Sequence, residues 1–405
     1  MIQRRAPLRL CAVAAATAGT LAIVAPADAA QLTERADRPA NAWTADLVTI
    51  DADDVNVSAA GGVLRVADPS TGPASRRGGP AEGTLLLATH PLAEPANRVT
   101  AQLDGAAAGG SVTVDVRGRN ASGEWSEWLG AGEVFGTPVT EVQVRVTLLG
   151  AAARLRGLGL TADTVPQPAL RAGVRSTGLT YRVFATREGL VGGTTANGHV
   201  IVSRDHFVAL PSRRGLAPKN AGDYSVRVCT ADGARCEYAP VWDVGPWNTT
   251  DDYWNPPDVR QSWADLPQGL PEAQAAYQDG YNGGRDQFGR RVANPAGIDL
   301  ADGTFWDGLQ LSTNAWVDVT YLWTAADGPR GVVGGGPLNL RSGPGTSYAS
   351  VGFAAKYARV PIECWVTGET VTGTYGTTNR WDRLAPGHYI SHAYVAASGA
   401  AAPPC

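Results

Sequence analysis

The 405-residue sequence has little lysine, few histidines and no long apolar run after its first 25 residues. Lys219 and Lys356 are the only lysines, and the formal net charge is −4. A nucleic-acid or membrane-surface partner needs a basic face, so the charge argues against both. No segment after the N-terminal run is long and apolar enough to span a bilayer. We therefore expect no nucleic-acid partner and no membrane span.

The N-terminal segment is the one apolar stretch, and its flanks are informative. Arg4, Arg5 and Arg9 precede an apolar run over residues 10–24, and small residues follow at 27–29. This order is typical of a secretory signal peptide. We predict that residues 1–29 are removed and that the mature protein is secreted, either extracellular or cell-wall-associated.

Cysteine is scarce but even in number once the signal peptide is removed, because Cys11 is removed with it. Cys229, Cys236, Cys364 and Cys405 remain, and an oxidising compartment favours disulfides between them. Cys229 and Cys236 flank an Asp-Gly turn between two strand-like segments. We therefore predict Cys229–Cys236 and Cys364–Cys405 bonds. No histidine lies at ligand spacing beside either pair, so we expect no metal site.

Long stretches with the periodicity of an amphipathic helix are also absent, and the pattern of the chain predicts short β-strands. Val, Leu and Thr alternate with polar residues between Gly, Asp and Pro breaks, as expected for antiparallel β-structure. Proline- and glycine-rich stretches at 163–173 and 324–336 divide the chain. We predict a mainly-β protein with domains at residues 41–164, 177–323 and 334–405.

The first block, residues 41–164, has the spacing of a β-sandwich. Its segment "VDVRGRNASGEWSEWLGAGEVF" is similar to jelly-roll-like accessory domains beside secreted bacterial hydrolases. Trp125 and Trp128 fit two interpretations, an aromatic hairpin packed on the sandwich rim or a sugar-stacking platform.

The last block carries the most specific local pattern. "LNLRSGPGTSY" at residues 338–348, followed by "VPIECWVTGETVTG", resembles bacterial SH3-like domains. The resemblance covers nearly all of residues 334–405 and implies a small barrel that tethers a secreted enzyme to the cell wall.

The middle block contains an ordered set of motifs. Thr-Ala-Asn-Gly at 195–198 is followed by His206 before Leu-Pro, then by Asp243 in Asp-Val-Gly-Pro-Trp, and by Ile-Asp-Leu around Asp299. This order resembles the double-psi β-barrel of the rare lipoprotein A family of lytic transglycosylases. The resemblance implies that Asp243 and His206 act in cleaving peptidoglycan glycan.

The middle block also departs from that family. Three residues instead of two separate His206 from Leu-Pro, Val244 replaces an arginine, and an insertion of roughly residues 248–295 separates strands that are close together in the family. These differences bear more on activity than on fold.

The residues around Asp243 give a physical reason, independent of the family resemblance, to consider it a general acid. Trp242, Val244 and Trp247 would surround the carboxyl with apolar groups, which raises its pKa and suits a general acid. Asp299 is the best candidate for the second carboxylate that hydrolysis requires. The alternative is that Asp243 is a turn residue whose side chain accepts hydrogen bonds from backbone amides.

Aromatic density is the other signal in the middle block, since seven of the twelve tryptophans lie between residues 242 and 323. Such residues form either a core or flat surfaces that stack on sugar rings. Trp242, Trp247 and Trp254 are our candidates for substrate binding.

Three functions remain open at this point. The first is an enzyme of the lytic transglycosylase type acting on peptidoglycan, the second a non-catalytic wall-binding protein, and the third a β-1,4-glycan hydrolase. In each case we expect a monomer without a cofactor whose partner is cell-wall polysaccharide.

Overall fold

The computed structural model describes residues 41–73, 79–105, 110–166 and 178–405. The predicted signal peptide and most of the linker predicted at 163–173 lie outside these residues. The described chain is mainly β, as predicted, and residues 41–405 cluster as one compact unit. Among the described residues, no helix has the length and apolar character that crossing a membrane requires.

The N-terminal block forms two sheets that pack as a sandwich. Its ten strands are β1 Ala42–Thr44, β2 Val57–Ala60, β3 Val63–Val66, β4 Glu82–Leu86, β5 His90–Asp104, β6 Ser111–Arg119, β7 Leu129–Gly130, β8 Val134–Leu149, β9 Arg154–Leu155 and β10 Gly157–Asp163. The larger sheet has the order β1-β10-β5-β8-β6-β7, with β4 also paired to β8. The smaller sheet is β2-β3-β9. Alternating apolar residues such as Val144, Val146 and Leu148 build the core between them.

The middle block forms the closed six-stranded barrel that the sequence predicts. Its strands are β11 Leu179–Arg187, β12 Val208–Leu210, β13 Ser225–Thr230, β14 Cys236–Val244, β15 Ala296–Leu300 and β16 Ala315–Tyr321. The order is β12-β15-β11-β16-β13-β14, and a β12–β14 pairing closes the ring. The β11–β15 and β12–β14 pairs are parallel and the other four are antiparallel.

The C-terminal block is all β and joins the barrel directly. Its strands are β17 Arg330–Val333, β18 Leu338–Arg341, β19 Ser350–Ala354, β20 Arg359–Pro361, β21 Cys364–Gly373, β22 Gly376–Ala385, β23 His388–Ser391 and β24 Val395–Ser398. Strand β19 pairs in parallel with β14, so one sheet runs from the barrel into this block. Val333, Leu340 and Ile390 belong to the same buried cluster as the barrel core. The two blocks therefore share a core.

The insertion between β14 and β15 is mostly irregular. It contains one α-helix, α1 Glu272–Asp279, which begins after Pro271 and ends at Gly280 in the left-handed region (φ 70°). Glu272 in the first turn suits the positive end of the helix dipole, and a left-handed glycine is a common stop. The remaining helical turns of the described chain are single: Arg213–Gly215, Tyr281–Gly284, Thr304–Gly308, Leu322–Thr324 and His392–Tyr394.

Both predicted disulfides are confirmed. Cys229 and Cys236 are paired across the β13–β14 hairpin, where they lie directly opposite each other. Cys364 is bonded to Cys405 and holds the C-terminus against β21. The loop-entropy relation gives about 2 kcal/mol for the first bond and about 4 kcal/mol for the second.

Candidate functional site

The barrel aligns two of the predicted acidic residues across neighbouring strands. Ala209 on β12 lies opposite Asp299 on β15 and also opposite Asp243 on β14. Side chains of directly opposed residues lie on the same face of a sheet. Asp243 and Asp299 therefore share one face, separated only by the small side chain of Ala209. The same line continues to Thr186, which is opposite Asp299 on β11.

Asp243 is completely buried, and one of its carboxyl oxygens accepts backbone hydrogen bonds in the way that a capping residue does. Its Oδ1 accepts hydrogen bonds from the backbone N–H groups of Ala196 and Val244, both at 2.8 Å. Ala196 belongs to the Thr-Ala-Asn-Gly turn that the sequence singles out, so this turn covers the carboxyl. The turn-aspartate interpretation thus describes a contact that exists, and access to Asp243 requires this turn to move.

Glu188 is the third carboxyl of a group that also contains Asp243 and Asp299. No pattern in the sequence pointed to this residue. It follows directly after β11, and its backbone N–H donates to the carbonyl of Leu300 at 2.8 Å. Both carboxyl oxygens are buried. Burial raises the pKa of Glu188 well above its usual range, and the charge and hydrogen bond of Asp243 raise it further. Like charges close together disfavour each other, so the negative charge of Asp243 favours the protonated form of Glu188.

Asp299 is half-buried, as is Glu188, whereas Asp243 is completely buried. Burial raises the pKa of Asp299 to about 7. The hydrogen bond donated by the Thr186 hydroxyl opposes this rise, while the negative charge of Asp243 adds to it. A carboxyl that exchanges its proton near pH 7 is suited to general acid and base chemistry.

His206 does not join the carboxyl group. Its Nδ1 lies 3.0 Å from Oε1 of Glu237, which also accepts a 2.8 Å hydrogen bond from the Thr304 hydroxyl. Glu237 and Asp243 are six residues apart on one strand, a separation of about 20 Å. His206 and Asp243, which the family resemblance implies act together, are therefore not in contact. Burial lowers the pKa of His206, but the neighbouring carboxylates, Glu237 first, outweigh this and raise it.

The three tryptophans predicted to bind substrate have different environments. Trp254 is fully buried and its indole N–H donates to Glu127 at 2.6 Å, which leaves it no exposed face for a sugar. Trp242 is 6% exposed, and its ring packs against Phe207. Trp247 is half-buried, with its N–H on Asn294 at 3.1 Å. Only Trp247 retains surface that a ligand can contact.

Trp306, in the helical turn Thr304–Gly308, is an exposed aromatic residue that contacts the end of β11, next to Glu188. It is 37% exposed, and the guanidinium carbons of Arg187 and Arg204 lie 4.6 and 4.7 Å from its ring. Arg187 ends β11 next to Glu188 and forms a 2.7 Å ion pair with Asp302. An aromatic ring with flanking donors is common in sugar-binding sites, and the sequence analysis did not single it out.

The N-terminal tryptophans connect the sandwich to the barrel. Trp128 is buried within the barrel's own hydrophobic cluster, and its N–H donates to the carbonyl of Leu216 at 3.0 Å. Trp125 is half-buried between the guanidinium groups of Arg117 and Arg119, 4.3 and 4.4 Å from its ring. Both residues therefore serve packing at this rim.

One acidic cluster within the described ranges has the spacing of a cation site. The carboxylates of Asp51, Asp53 and Asp54 place one oxygen each within 4.8 Å of one another. Asp54 accepts hydrogen bonds from the backbone of Asp51 and Leu86, both at 2.8 Å. These bonds account for the cluster as part of a folded loop.

Together these observations define the class of protein. It is a mainly-β protein built on a closed six-stranded barrel, and Glu188, Asp243 and Asp299 form a group of three acidic side chains on this barrel. A family model described as "Domain of unknown function (DUF8814)" matches residues 179–320, which is nearly the whole barrel. No solved structure matches the chain significantly.

Two curated relatives come from Bacillus subtilis (strain 168). "Uncharacterized protein YraI" is 41% identical over 81 residues, which cover 18% of this chain and 68% of YraI. "Uncharacterized protein YraJ" is 50% identical over 50 residues, which cover 12% of this chain and 42% of YraJ. The chain belongs to the family of YraI, and it spans less than half of YraJ.

Proposed function

We propose that this protein is a secreted, cell-wall-associated enzyme that cleaves the glycan strands of peptidoglycan in the manner of a lytic transglycosylase. The observation that carries the proposal is the placement of Asp299 and Asp243 on one barrel face across Ala209, with Glu188 against Asp243. Grouped buried carboxyls reduce stability unless they share protons, so their presence favours a functional role.

The fold and the disulfides support the same proposal. The closed barrel with two parallel and four antiparallel pairs fits the double-psi barrel that the motif order resembles. Two disulfides indicate a non-cytoplasmic compartment. The C-terminal block would act as an SH3-like tether to the wall.

In the proposed reaction, Asp299 replaces Asp243 as the general acid, because Asp243 has no solvent access. Protonated Asp299 gives its proton to the glycosidic oxygen as the bond from that oxygen to the anomeric carbon breaks. The sugar's own hydroxymethyl oxygen then bonds to the anomeric carbon and loses its proton to Asp299. The acid is regenerated, no water is consumed, and the product is an anhydro-sugar. Asp243 acts as a positioning residue whose negative charge adds to the effect of burial in raising the pKa of Asp299.

The test is digestion of purified sacculi, with the soluble products analysed by mass spectrometry. We expect anhydro-sugar fragments from the wild type and none from Asp299→Asn. Asp243→Asn keeps an oxygen that can accept both backbone hydrogen bonds, so it should stay folded while the pH optimum moves down. Asp258→Asn, at an exposed position, serves as the matched control. Reducing-end products heavier by one water would instead indicate a hydrolase.

A non-catalytic wall-binding protein is the second candidate, and the complete burial of Asp243 under the 195–198 turn favours it. Under this alternative the wild type sediments with sacculi but releases no fragments, and Asp299→Asn sediments equally well. That result would reject the enzymatic proposal.

A further inference from the structure

The larger sheet of the sandwich has a polar face that is distinct from the barrel carboxyls. On strands β6 and β8, Ser111, Thr113 and Asp115 lie opposite Leu149, Thr147 and Arg145. The alternate residues of the same strands, such as Val114 and Val146, are in the sandwich core. Strand alternation therefore directs this polar set away from the core.

A cleft of about 220 Å³ lies between this polar face and the middle block. The far wall consists of residues next to β12 and of the insertion: Arg213, Arg214, Thr249, Thr250, Gln261, Gln287 and Phe288. The lining is rich in hydroxyl, amide and guanidinium groups. Such groups, beside one aromatic ring, form the usual environment of a bound saccharide.

Three buried polar atoms of the lining residues have no hydrogen-bond partner within the described chain. They are Oγ1 of Thr147, in the middle of the polar face, Nη1 of Arg213 and Nε of Arg214. The other terminal nitrogen of Arg213 is paired with Glu82. Leaving a buried donor without a protein partner costs about 1–3 kcal/mol, so such groups mark positions where a ligand oxygen is favourable.

The charges of the cleft indicate the kind of ligand. Arg145, Arg213 and Arg214 line the cleft, and each forms an ion pair with a neighbouring carboxylate. Arg213 and Arg214 nevertheless each keep one guanidinium N–H without a partner in the described chain, and guanidinium groups bind carboxylates strongly. Phe288, at 43% exposure, supplies an apolar surface, and the guanidinium of Arg290 lies 5.2 Å from its ring.

We propose that this cleft binds an acidic saccharide, with the sugar ring near Phe288 and its carboxylate at Arg213 and Thr147. The inference does not depend on the barrel being catalytic. Peptidoglycan glycan from which the stem peptide has been removed, leaving a free lactyl carboxylate, and uronic-acid polymers share this chemistry.

Calorimetric titration of the full chain with three disaccharides tests the proposal. The ligands are N-acetylglucosaminyl-N-acetylmuramic acid, a glucuronate-containing disaccharide and neutral chitobiose. We expect at least one acidic ligand to bind and chitobiose to bind at least about tenfold more weakly. The acidic ligand that binds more tightly identifies the source. Equal binding of chitobiose, or no binding of either acidic sugar, would overturn the proposal.

Variants separate binding from folding. Thr147→Val removes a hydroxyl that no described residue bonds, so the unfolding temperature should not fall, while affinity for the acidic sugar should fall roughly two- to tenfold. Thr140→Val, exposed on the same strand and outside the cleft, is the matched control. Arg213→Gln should weaken binding by more than about tenfold, although it also breaks the pair with Glu82. Unchanged affinity in Thr147→Val and Arg213→Gln would reject this site, whatever the sacculus digestion shows.

Discussion

Replacing Asp299 by asparagine should make the protein more stable at alkaline pH. The pKa of Asp299 is raised from 3.8 to about 7 in the folded protein, so folding disfavours its ionised form. Below about pH 3 the carboxyl is neutral in both the folded and the unfolded state, so it does not change the free energy of unfolding. As the pH rises from about 4 to about 7, only the unfolded chain ionises freely, and the wild type loses stability. Asparagine cannot ionise and avoids this loss.

The size of the effect follows from the shift. Each pKa unit corresponds to about 1.4 kcal/mol, so the shift amounts to roughly 4 kcal/mol above pH 7. Asparagine can still accept the hydrogen bond from Thr186, and the effect of this bond on the ionised carboxyl is already contained in the shift. We therefore expect Asp299→Asn to be more stable than the wild type by roughly 4 kcal/mol at pH 8 and by less than about 1 kcal/mol near pH 4.

Urea unfolding followed by tryptophan fluorescence at several pH values between 4 and 8.5 measures the difference. The slope of free energy against urea should match between the two proteins, so that the midpoints compare directly. Asp258→Asn, which is exposed, should show no pH-dependent gain. A stability difference that is constant with pH, or a less stable variant at pH 8, would refute the assignment of a raised pKa to Asp299.

Three further predictions concern other parts of the molecule. Glu188→Gln should remove a carboxyl whose pKa is raised well above its usual range, so infrared spectroscopy at pH 8.5, where Asp299 is ionised, should show a weaker protonated-carboxyl band than the wild type; an unchanged band would contradict the raised pKa of Glu188. Deletion of residues 334–405 should expose the core shared with the barrel and give protein without a cooperative thermal transition, whereas a normal transition would show independent folding. Replacing Cys364 and Cys405 together by serine should lower the free energy of unfolding by about 4 kcal/mol in urea, and a loss below about 1 kcal/mol would contradict the loop-entropy argument.

Much of the architecture follows from local patterns. Strand-like alternation with Gly, Asp and Pro breaks predicts a mainly-β protein, and the motif order around Asp243 predicts a six-stranded barrel. The Asp-Gly turn between Cys229 and Cys236 makes that disulfide a hairpin pair. Each of these inferences depends on neighbours a few residues apart, where the chain's own geometry leaves few alternatives.

The composition of the candidate site depends on which strands meet. Ala209 lies between Asp243 and Asp299 because β12 pairs with both β14 and β15. Nothing within the sequence near Glu188 distinguishes it from a surface glutamate at a strand end. Only the path of β11 beside β15 brings its carboxyl against Asp243.

Burial is the other property that the tertiary structure decided. Trp254 is a residue type that often binds sugars. Its indole N–H nevertheless donates to Glu127 of the first block, and its ring is completely buried. His206 lies shortly before the Leu-Pro motif, where the family resemblance implies a role beside Asp243. It pairs instead with Glu237, which is at the opposite end of β14 from Asp243. The sequence by itself determined the strands and the Cys229–Cys236 hairpin pair, because these follow from local periodicity and spacing, whereas the barrel was implied by the family resemblance of the motif order. The tertiary structure decided which side chains meet and which face solvent, because both depend on register between segments far apart in the chain.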